Sequence, residues 1–304
     1  MDWFLSVDGG GTKTALLLRR ADGQEYRARS GASSIKSVGE CAARQNLARG
    51  LDELWAASGA GPDSVTHGVF GMSGCDSPED EAVYRTMIES LGWRPGRYTL
   101  CNDALPAFFA AADPPGVVLI AGTGSIAMGV DRQGRTVRAG GWGYGFSDLG
   151  SGWWLGCRAL EQALLYCDGC RPYRPWLEEV ARALGAPCLE QLPGTATTLD
   201  RADRVAALAS VVLGGEPDPN KDAILARGAA HLAALVQAAA KKLGEQPGAP
   251  LRLVLTGGCM RSSRYAALVR QALPAGLQNA LVPAGEDPAE GGIRMAKRAA
   301  ARNG

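Results

Sequence analysis

A chain of 304 residues, 46% hydrophobic and 21% charged, is long enough for two domains with cores of their own. Its 32 basic residues balance 31 acidic ones at a formal charge of +1, which excludes the footprint of a nucleic-acid or membrane-surface binder and leaves a small molecule as the expected partner. No basic leader precedes an apolar core and no apolar run reads as a membrane span, so a cytoplasmic protein with eight reduced cysteines is expected.

Residues 4–7 read as a short buried strand and 15–18 as a second. Between them runs Asp8-Gly9-Gly10-Gly11-Thr12-Lys13-Thr14. Three consecutive glycines permit a sharp turn that brings backbone N–H groups close to an anion, while Lys13 adds charge and Thr12 and Thr14 add hydroxyls. The spacing is neither a Walker A loop nor G-x-G-x-x-G feeding a helix, and by itself it suits a plain tight hairpin equally well.

Next comes a loop at 31–34, then Ser37-Val38-Gly39-Glu40 with capping-box spacing, and Leu47, Leu51, Leu54 and Trp55 at helical spacing up to Gly59. Residues 65–70 read as a strand entering Gly71-Met72-Ser73-Gly74, a glycine loop at the strand end where α/β proteins place ligands. Ser77-Pro78-Glu79-Asp80 starts a helix with Val83, Met87 and Leu91 on one face. A strand at 98–101 stops at Asn102-Asp103 before a helix at 104–112, and Asp113-Pro114-Pro115-Gly116 reads as a linker.

Beyond the linker the pattern restarts, which suggests an ancient duplication. A strand at 117–121, the turn Gly122-Thr123-Gly124-Ser125, a strand at 126–130, a turn at Gln133-Gly134 and a strand near 136–139 follow in order. The stretch from Gly140 to Gly152 is rich in glycine and carries Trp142, Tyr144 and Phe146; its ordering cost points to ligand contact. Residues 153–165, 175–184, 201–213 and 222–243 read as helices, 251–256 as a strand ending at Gly257-Gly258, and 262–273 and about 288 onward as helices. His67 and His231 are too few and too distant for a metal cluster or a Ser-His hydrolase. Cys167-Asp168-Gly169-Cys170, flanked by Cys157 and Cys188, lacks the second C-x-x-C of a structural zinc site and reads as reduced loop thiols.

Three strand-then-glycine units in this order resemble the N-acetylglucosamine kinase and BadF-type (BadF/BadG/BcrA/BcrD) ATPase group of the sugar kinase/Hsp70/actin superfamily, over nearly the whole chain. The resemblance implies an α/β fold of two ribonuclease H-like (actin-like ATPase) domains with a nucleotide and sugar cleft between them. It places residues 1–113 with about 288–304 in the first domain, onto which the last helix crosses back, and 114–287 in the second. It also implies ATP and Mg2+ as cofactors, an amino sugar as partner, and a homodimer.

Carried onto this sequence, the resemblance implies that Gly9, Gly10, Gly11, Thr12, Lys13, Thr14, Gly122, Thr123, Gly124 and Ser125 hold phosphates, and that Gly257 and Gly258 face adenosine. Asp8 would hold Mg2+ through water, since a hard cation on nucleotide phosphates takes only one or two protein carboxylates. Asp103 matches the aspartate that accepts the proton of the sugar 6-hydroxyl; the bland alternative is a helix cap. Ser34, Ser73, Asp103, Thr123, Gly141, Trp142, Gly143 and Asp148 match sugar-contacting positions. Serine at 34, where the family usually has asparagine, and Leu149, where glutamate is common, put the exact hexosamine in question.

The expected function is an ATP-dependent kinase making the 6-phosphate of N-acetylglucosamine, or of glucosamine on the same scaffold. An ATPase activator of an iron–sulfur dehydratase or reductase is the alternative of another class, but Ile120 and Ala121, not cysteine, precede the second glycine turn. A non-catalytic sugar sensor is disfavoured because the chain begins directly with its first strand and keeps Asp103. Closure over the sugar is expected, with slower ATP hydrolysis in its absence.

Overall fold

The computed structural model describes residues 2–197, 202–244, 251–285 and 287–303. It divides into two compact units, Met1–Asp113 with Pro283–Gly304, and Pro114–Val282.

Unit 1 opens with β1 (Trp3–Gly9), β2 (Lys13–Arg20) and β3 (Glu25–Gly31), followed by α1 (Ile35–Ser58), β4 (Val65–Met72), α2 (Pro78–Glu89), β5 (Tyr98–Cys101) and α3 (Ala104–Ala111). Its sheet order is β3-β2-β1-β4-β5, with an antiparallel β1-β2-β3 meander and β1, β4 and β5 mutually parallel. Alternation along the strands splits the apolar residues between two faces. Trp3, Leu5, Val7, Leu16 and Leu18 join a core with Leu47, Leu51 and Tyr84, whereas Phe4, Leu17 and Val69 pack against Ala289, Ile293 and Ala296 of the C-terminal helix. The registers pair Asp8 with Gly71 and Gly71 with Cys101. The loops leaving three parallel strands therefore begin side by side, a geometry that gathers whatever they carry.

Two sequence expectations change here and one holds. The charged edge strand β3 has no apolar run to reveal it; it is held by Arg19 to Glu25 and Glu290, and by Arg27 to Asp287. The first long helix starts at Ile35 behind Ser34, not behind Ser37, and Gly39 interrupts it at φ 77°. Ser77 does cap α2, accepting from the Asp80 N–H.

Unit 2 repeats the strand plan. β6 (Gly116–Ala121), β7 (Ser125–Val130) and β8 (Thr136–Gly140) form the meander, and β9 (Arg252–Thr256) and β10 (Leu281–Val282) extend it in parallel, in the order β10-β9-β6-β7-β8. Between β8 and β9 come α4 (Gly152–Cys167), α5 (Trp176–Leu184), α6 (Leu192–Ala196), α7 (Ala202–Ala207), α8 (Ala209–Leu213) and α9 (Pro219–Leu243). After β9 follow α10 (Ser263–Ala272) and α11 (Ala275–Gln278), and α12 (Pro288–Asn303) closes the chain in unit 1. The single helix expected at 201–213 is two, α7 and α8, and Arg201 lies outside the described residues.

α9 is long and apolar enough to pass a test for a membrane span by length and composition, as core helices also do. One face of α9, with Leu225, Leu232 and Val236, is packed in the core of unit 2. In unit 1, Gly291 and Gly292 let α12 approach closely: a Cβ on the first would collide with the Pro106 carbonyl, and one on the second with the Ser6 hydroxyl.

Candidate functional site

In unit 1 the Gly9–Lys13 turn is anchored through its carbonyls. Gly10 N donates to Lys13 O at 3.0 Å, Gly10 O accepts from Ser33 N (3.2 Å) and Ser34 N (3.3 Å), and Gly9 O accepts from Ser73 N at 2.8 Å. Gly11, Thr12 and Lys13 are exposed at the tip. Thr14 is turned inward: fully buried, its hydroxyl lies 2.7 Å from both Gly31 O and Ser33 Oγ. Its hydroxyl and the Gly10 N–H thus make bonds within the protein. Tyr84, fully buried, ties the surrounding loops together by donating to Ser73 O (2.8 Å) and accepting from Ile35 N (3.0 Å).

Asp8 is the penultimate residue of β1, Ser73 follows β4 and Asp103 comes just after β5, so the three side chains belong to adjacent strand ends. Burial, the neighbouring Asp8 charge and Asp76 push the half-buried Asp103 carboxyl up to about 7, against the pull of hydrogen bonds from Ser73 and the Ala104 N–H. Burial and the Asp287 charge likewise raise Asp8 to about 6, opposed by Lys13. Such a carboxylate pair titrates as a unit near neutrality.

Asp103 sits at the head of α3 but makes no side-chain cap there. Asn102, 7% exposed, takes the capping role: its Oδ1 accepts from Ala104 N at 2.9 Å and its Nδ2 donates to Asp76 Oδ1 at 3.0 Å. Lys36 then pairs with Asp76 at 3.0 Å and Asp80 at 2.8 Å. Asn102 thus carries the geometric cap of α3, while the Ala104 N–H also acts on the Asp103 carboxyl and lowers it. Asn102, Asp76, Lys36, Tyr84 and Asp287 were all missed from sequence. Asn102 and Asp287 had a usable signal, an Asx residue bonding the N–H two positions on, as Asp287 does to Ala289 at 3.0 Å.

In unit 2 the Gly122–Ser125 turn is held differently. Gly122 N donates to Gly124 O (2.9 Å), and the carbonyls of Gly122 and Thr123 accept from Gly152 N (2.7 Å) and Trp153 N (3.0 Å) at the start of α4. Asp148, 7% exposed and at φ 57°, lies under the turn, its Oδ1 accepting from Ser125 N at 3.2 Å. Ser125 Oγ donates to Leu149 O at 3.2 Å. Ser125 and Asp148 thus build the turn, while Thr123 stands exposed at its tip.

Gly257, at φ 102°, abuts the Ala121 backbone so closely that a Cβ there would be 2.5 Å from its carbonyl oxygen; Gly258 is exposed beside it. Gly140, Gly141 and Gly143 all have positive φ in the loop that presents Trp142, under the Arg138 guanidinium at 3.9 Å, and Phe146, 99% exposed. Cys167 Sγ donates to Leu189 O at 3.1 Å. Among the described residues no group of three or more His, Cys, Asp and Glu side chains could hold a metal ion.

Three curated proteins match part of the chain, among them a glucosamine kinase of Vibrio cholerae, 30% identical over 182 residues, 59% of this chain and 60% of that one. The N-acetylmuramic acid/N-acetylglucosamine kinase of Clostridium acetobutylicum is 32% identical over 170 residues, 55% of each chain. The N-acetyl-D-glucosamine kinase of Dictyostelium discoideum is 34% identical over 179 residues, 56% of each. The match thus spans little more than half the length of these relatives. A Chromobacterium violaceum crystal structure, of a protein proposed to be an N-acetylglucosamine kinase, superposes with a TM-score of 0.75 at 26% identity, covering 97% of this chain and 99% of that one. The family model described as the BadF/BadG/BcrA/BcrD ATPase family matches residues 5–291, and the chain belongs to that family.

Proposed function

We propose that the chain is an ATP-dependent hexosamine kinase that transfers the γ-phosphoryl group to the 6-hydroxyl of N-acetylglucosamine, with Asp103 as general base. The observation that carries this reading is the grouping of Asp8, Ser73 and Asp103 at three adjacent parallel strand ends, with Asn102 Oδ1 accepting from the Ala104 N–H at the head of α3. Phosphoryl transfer asks mainly for positioning and charge neutralisation, which this arrangement suits.

In the reaction, ionised Asp103 takes the proton of the 6-hydroxyl while Ser73 holds the carboxylate by a hydrogen bond. The sugar oxygen bonds to the γ-phosphorus, the bond from that phosphorus to the bridging oxygen breaks, and ADP leaves. A Mg2+ ion held by Asp8 through water would neutralise phosphate charge; one half-buried carboxylate at a strand end fits a cation that keeps most of its own waters. The exposed Gly11, Thr12 and Lys13 of unit 1, and Thr123 and Gly124 of unit 2, are the proposed phosphate contacts, with Gly257 and Gly258 toward adenosine. Ser34, Ser73, Gly141, Trp142 and Gly143 are the proposed sugar contacts, and Asp148 supports the Gly122–Ser125 turn.

The test is ADP release from Mg-ATP with N-acetylglucosamine, glucosamine, glucose, N-acetylmannosamine or no sugar, with the product located by mass and phosphorus NMR. Turnover with N-acetylglucosamine giving the 6-phosphate is expected. Preference for glucosamine would attribute the change in selectivity to Ser34, and equal ADP release without sugar would overturn the kinase reading.

A further inference from the structure

Arg138 has no part in the phosphoryl-transfer reading, yet its side chain is fastened to the aromatic loop of unit 2. It lies on β8, the edge strand of its sheet, two residues before the loop begins. Its Nε donates to Gly140 O at 2.8 Å and its Nη2 donates to Gly141 O. The centre of the guanidinium lies over the Trp142 ring, 3.9 Å from the ring centre. A planar fork on two successive carbonyls fixes the tilt of the guanidinium, and the same plane stacks on the indole. The backbone is shaped for this contact: Gly140 and Gly141 stand at φ 75° and 72°, and a Cβ on Gly141 would come within 2.9 Å of the Ile126 side chain. The strand end is held as well, since the Arg138 carbonyl accepts from Lys242 Nζ at 2.6 Å.

The ring held in this way is 68% exposed, so the face turned away from Arg138 is open to a ligand. Immobilising a free, exposed side chain when a ligand arrives weakens binding about two- to tenfold, and a ring already fixed escapes that loss. The guanidinium also gives the platform a sign. A cation on one face of an indole repels a second cation on the other and has already drawn on the ring's electrons, whereas a neutral C–H face meets no such penalty.

We propose that Arg138 is a positioning residue for the sugar: it presets the Trp142 indole as a platform for one face of the pyranose, and its charge behind the ring favours a neutral, N-acylated hexosamine over one with a free ammonium group. The inference rests on the hexosamine-kinase reading and adds to it a residue that does not itself touch the substrate. Arg138 acts through Trp142, so its effect vanishes when the indole is removed. An ammonium stacked on the far face would sit about 7–8 Å from the guanidinium, where repulsion near a protein surface discriminates about three- to tenfold.

Steady-state kinetics at about pH 7 with Mg-ATP and either N-acetylglucosamine or glucosamine, with calorimetric binding of each sugar alongside, test it on the full chain. Arg138→Gln is expected to raise KM for N-acetylglucosamine about three- to tenfold, with kcat and the KM for ATP within about twofold of wild type. The same variant is expected to raise the ratio of kcat/KM for glucosamine to that for N-acetylglucosamine about threefold or more. Arg138→Lys keeps the charge without the planar fork, so it should raise KM for both sugars and leave that ratio unchanged. In a Trp142→Ala background, Arg138→Gln is expected to have no further effect on sugar KM. Losses shared equally by kcat and both KM values, or an effect that adds in full to that of Trp142→Ala, would overturn the proposal by making Arg138 a structural residue only. An unchanged sugar ratio in Arg138→Gln would overturn selection by charge. If Arg138→Gln does not fold, Arg138→Lys with and without Trp142→Ala carries the test. A wild-type protein that neither binds nor phosphorylates a hexosamine would remove the kinase reading and this proposal together, whereas a wild-type kinase whose sugar KM ignores Arg138 would remove the proposal alone.

Discussion

The two glycine turns occupy the same place in two sheets of the same strand order, yet they are surrounded by opposite chemistry. The turn of unit 1 lies among ionisable groups, Asp8, Asp103, Asp76 and Asp287, whose mutual repulsion and burial keep two carboxyls near neutrality. At the turn of unit 2 the Asp148 carboxylate accepts from the Ser125 N–H beneath it. Repeating a fold therefore repeats a way of presenting backbone N–H groups, whereas proton-transfer chemistry depends on residues just past the strand ends, where the copies diverge.

The comparison is broken most directly at Asp103. Asp103→Asn is expected to lower turnover roughly 10²–10⁴-fold, measured as sugar-dependent ADP release. The same variant is expected to melt higher than wild type at pH 8. A carboxyl raised from 3.8 to about 7 contributes stability below about pH 4, and that contribution is lost as pH rises through about 7. An uncharged asparagine escapes that loss, and a lower melting temperature at pH 8 would show that Asp103 is instead a stabilised anion. Asn102→Leu should cost roughly 10- to 10²-fold in kcat with little change in KM, because the Ala104 N–H, now shared with Asn102, would bond the Asp103 carboxylate alone and hold it closer to α3. The strengthened N–H bond would move the acid limb of its pH profile to lower pH.

Asp148→Ala sharpens the contrast from the other unit. It leaves the Ser125 N–H unpaired at a cost of ~1–3 kcal/mol and is expected to raise KM for ATP more than it lowers kcat, without moving the acid limb. Equal shifts of the limb in the Asp103 and Asp148 series would erase the distinction between the turns. The smallest expected effect is that of Ser73→Ala. Removing a hydrogen bond that lowers the Asp103 carboxyl should move the acid limb upward, with a loss of only a few-fold at pH 8.

The apolar strands and the glycine turns were legible because period-two alternation and positive φ leave marks on composition. Both antiparallel meanders follow from them, apart from β3, which is charged along its exposed edge and therefore has no apolar signature. α1 misled for a local reason: Ser37 and Glu40 have capping spacing, but Gly39 at φ 77° breaks the helix between them. At the site, an aspartate after a strand is visible in sequence, but whether its carboxylate is free or spent as a cap depends on the neighbour's rotamer. Asn102 carries the geometric cap here, tied to Asp76 and Lys36 by contacts between residues 26 and 40 positions apart that no local pattern encodes. Ser125 and Asp148 show the converse, since polar residues suited to ligand contact are turned inward to build the loop.

The account rests on Asp103 acting as a base with its carboxyl near neutrality, and the most direct measurement is the pH dependence of kcat/KM for N-acetylglucosamine in wild type and Asp103→Asn. An activity that rises through an acid limb near pH 7 in wild type, and a residual rate without that limb in the variant, is the predicted result. A limb near the ordinary aspartate range of about 4, or one near 7 that survives the substitution, would contradict it.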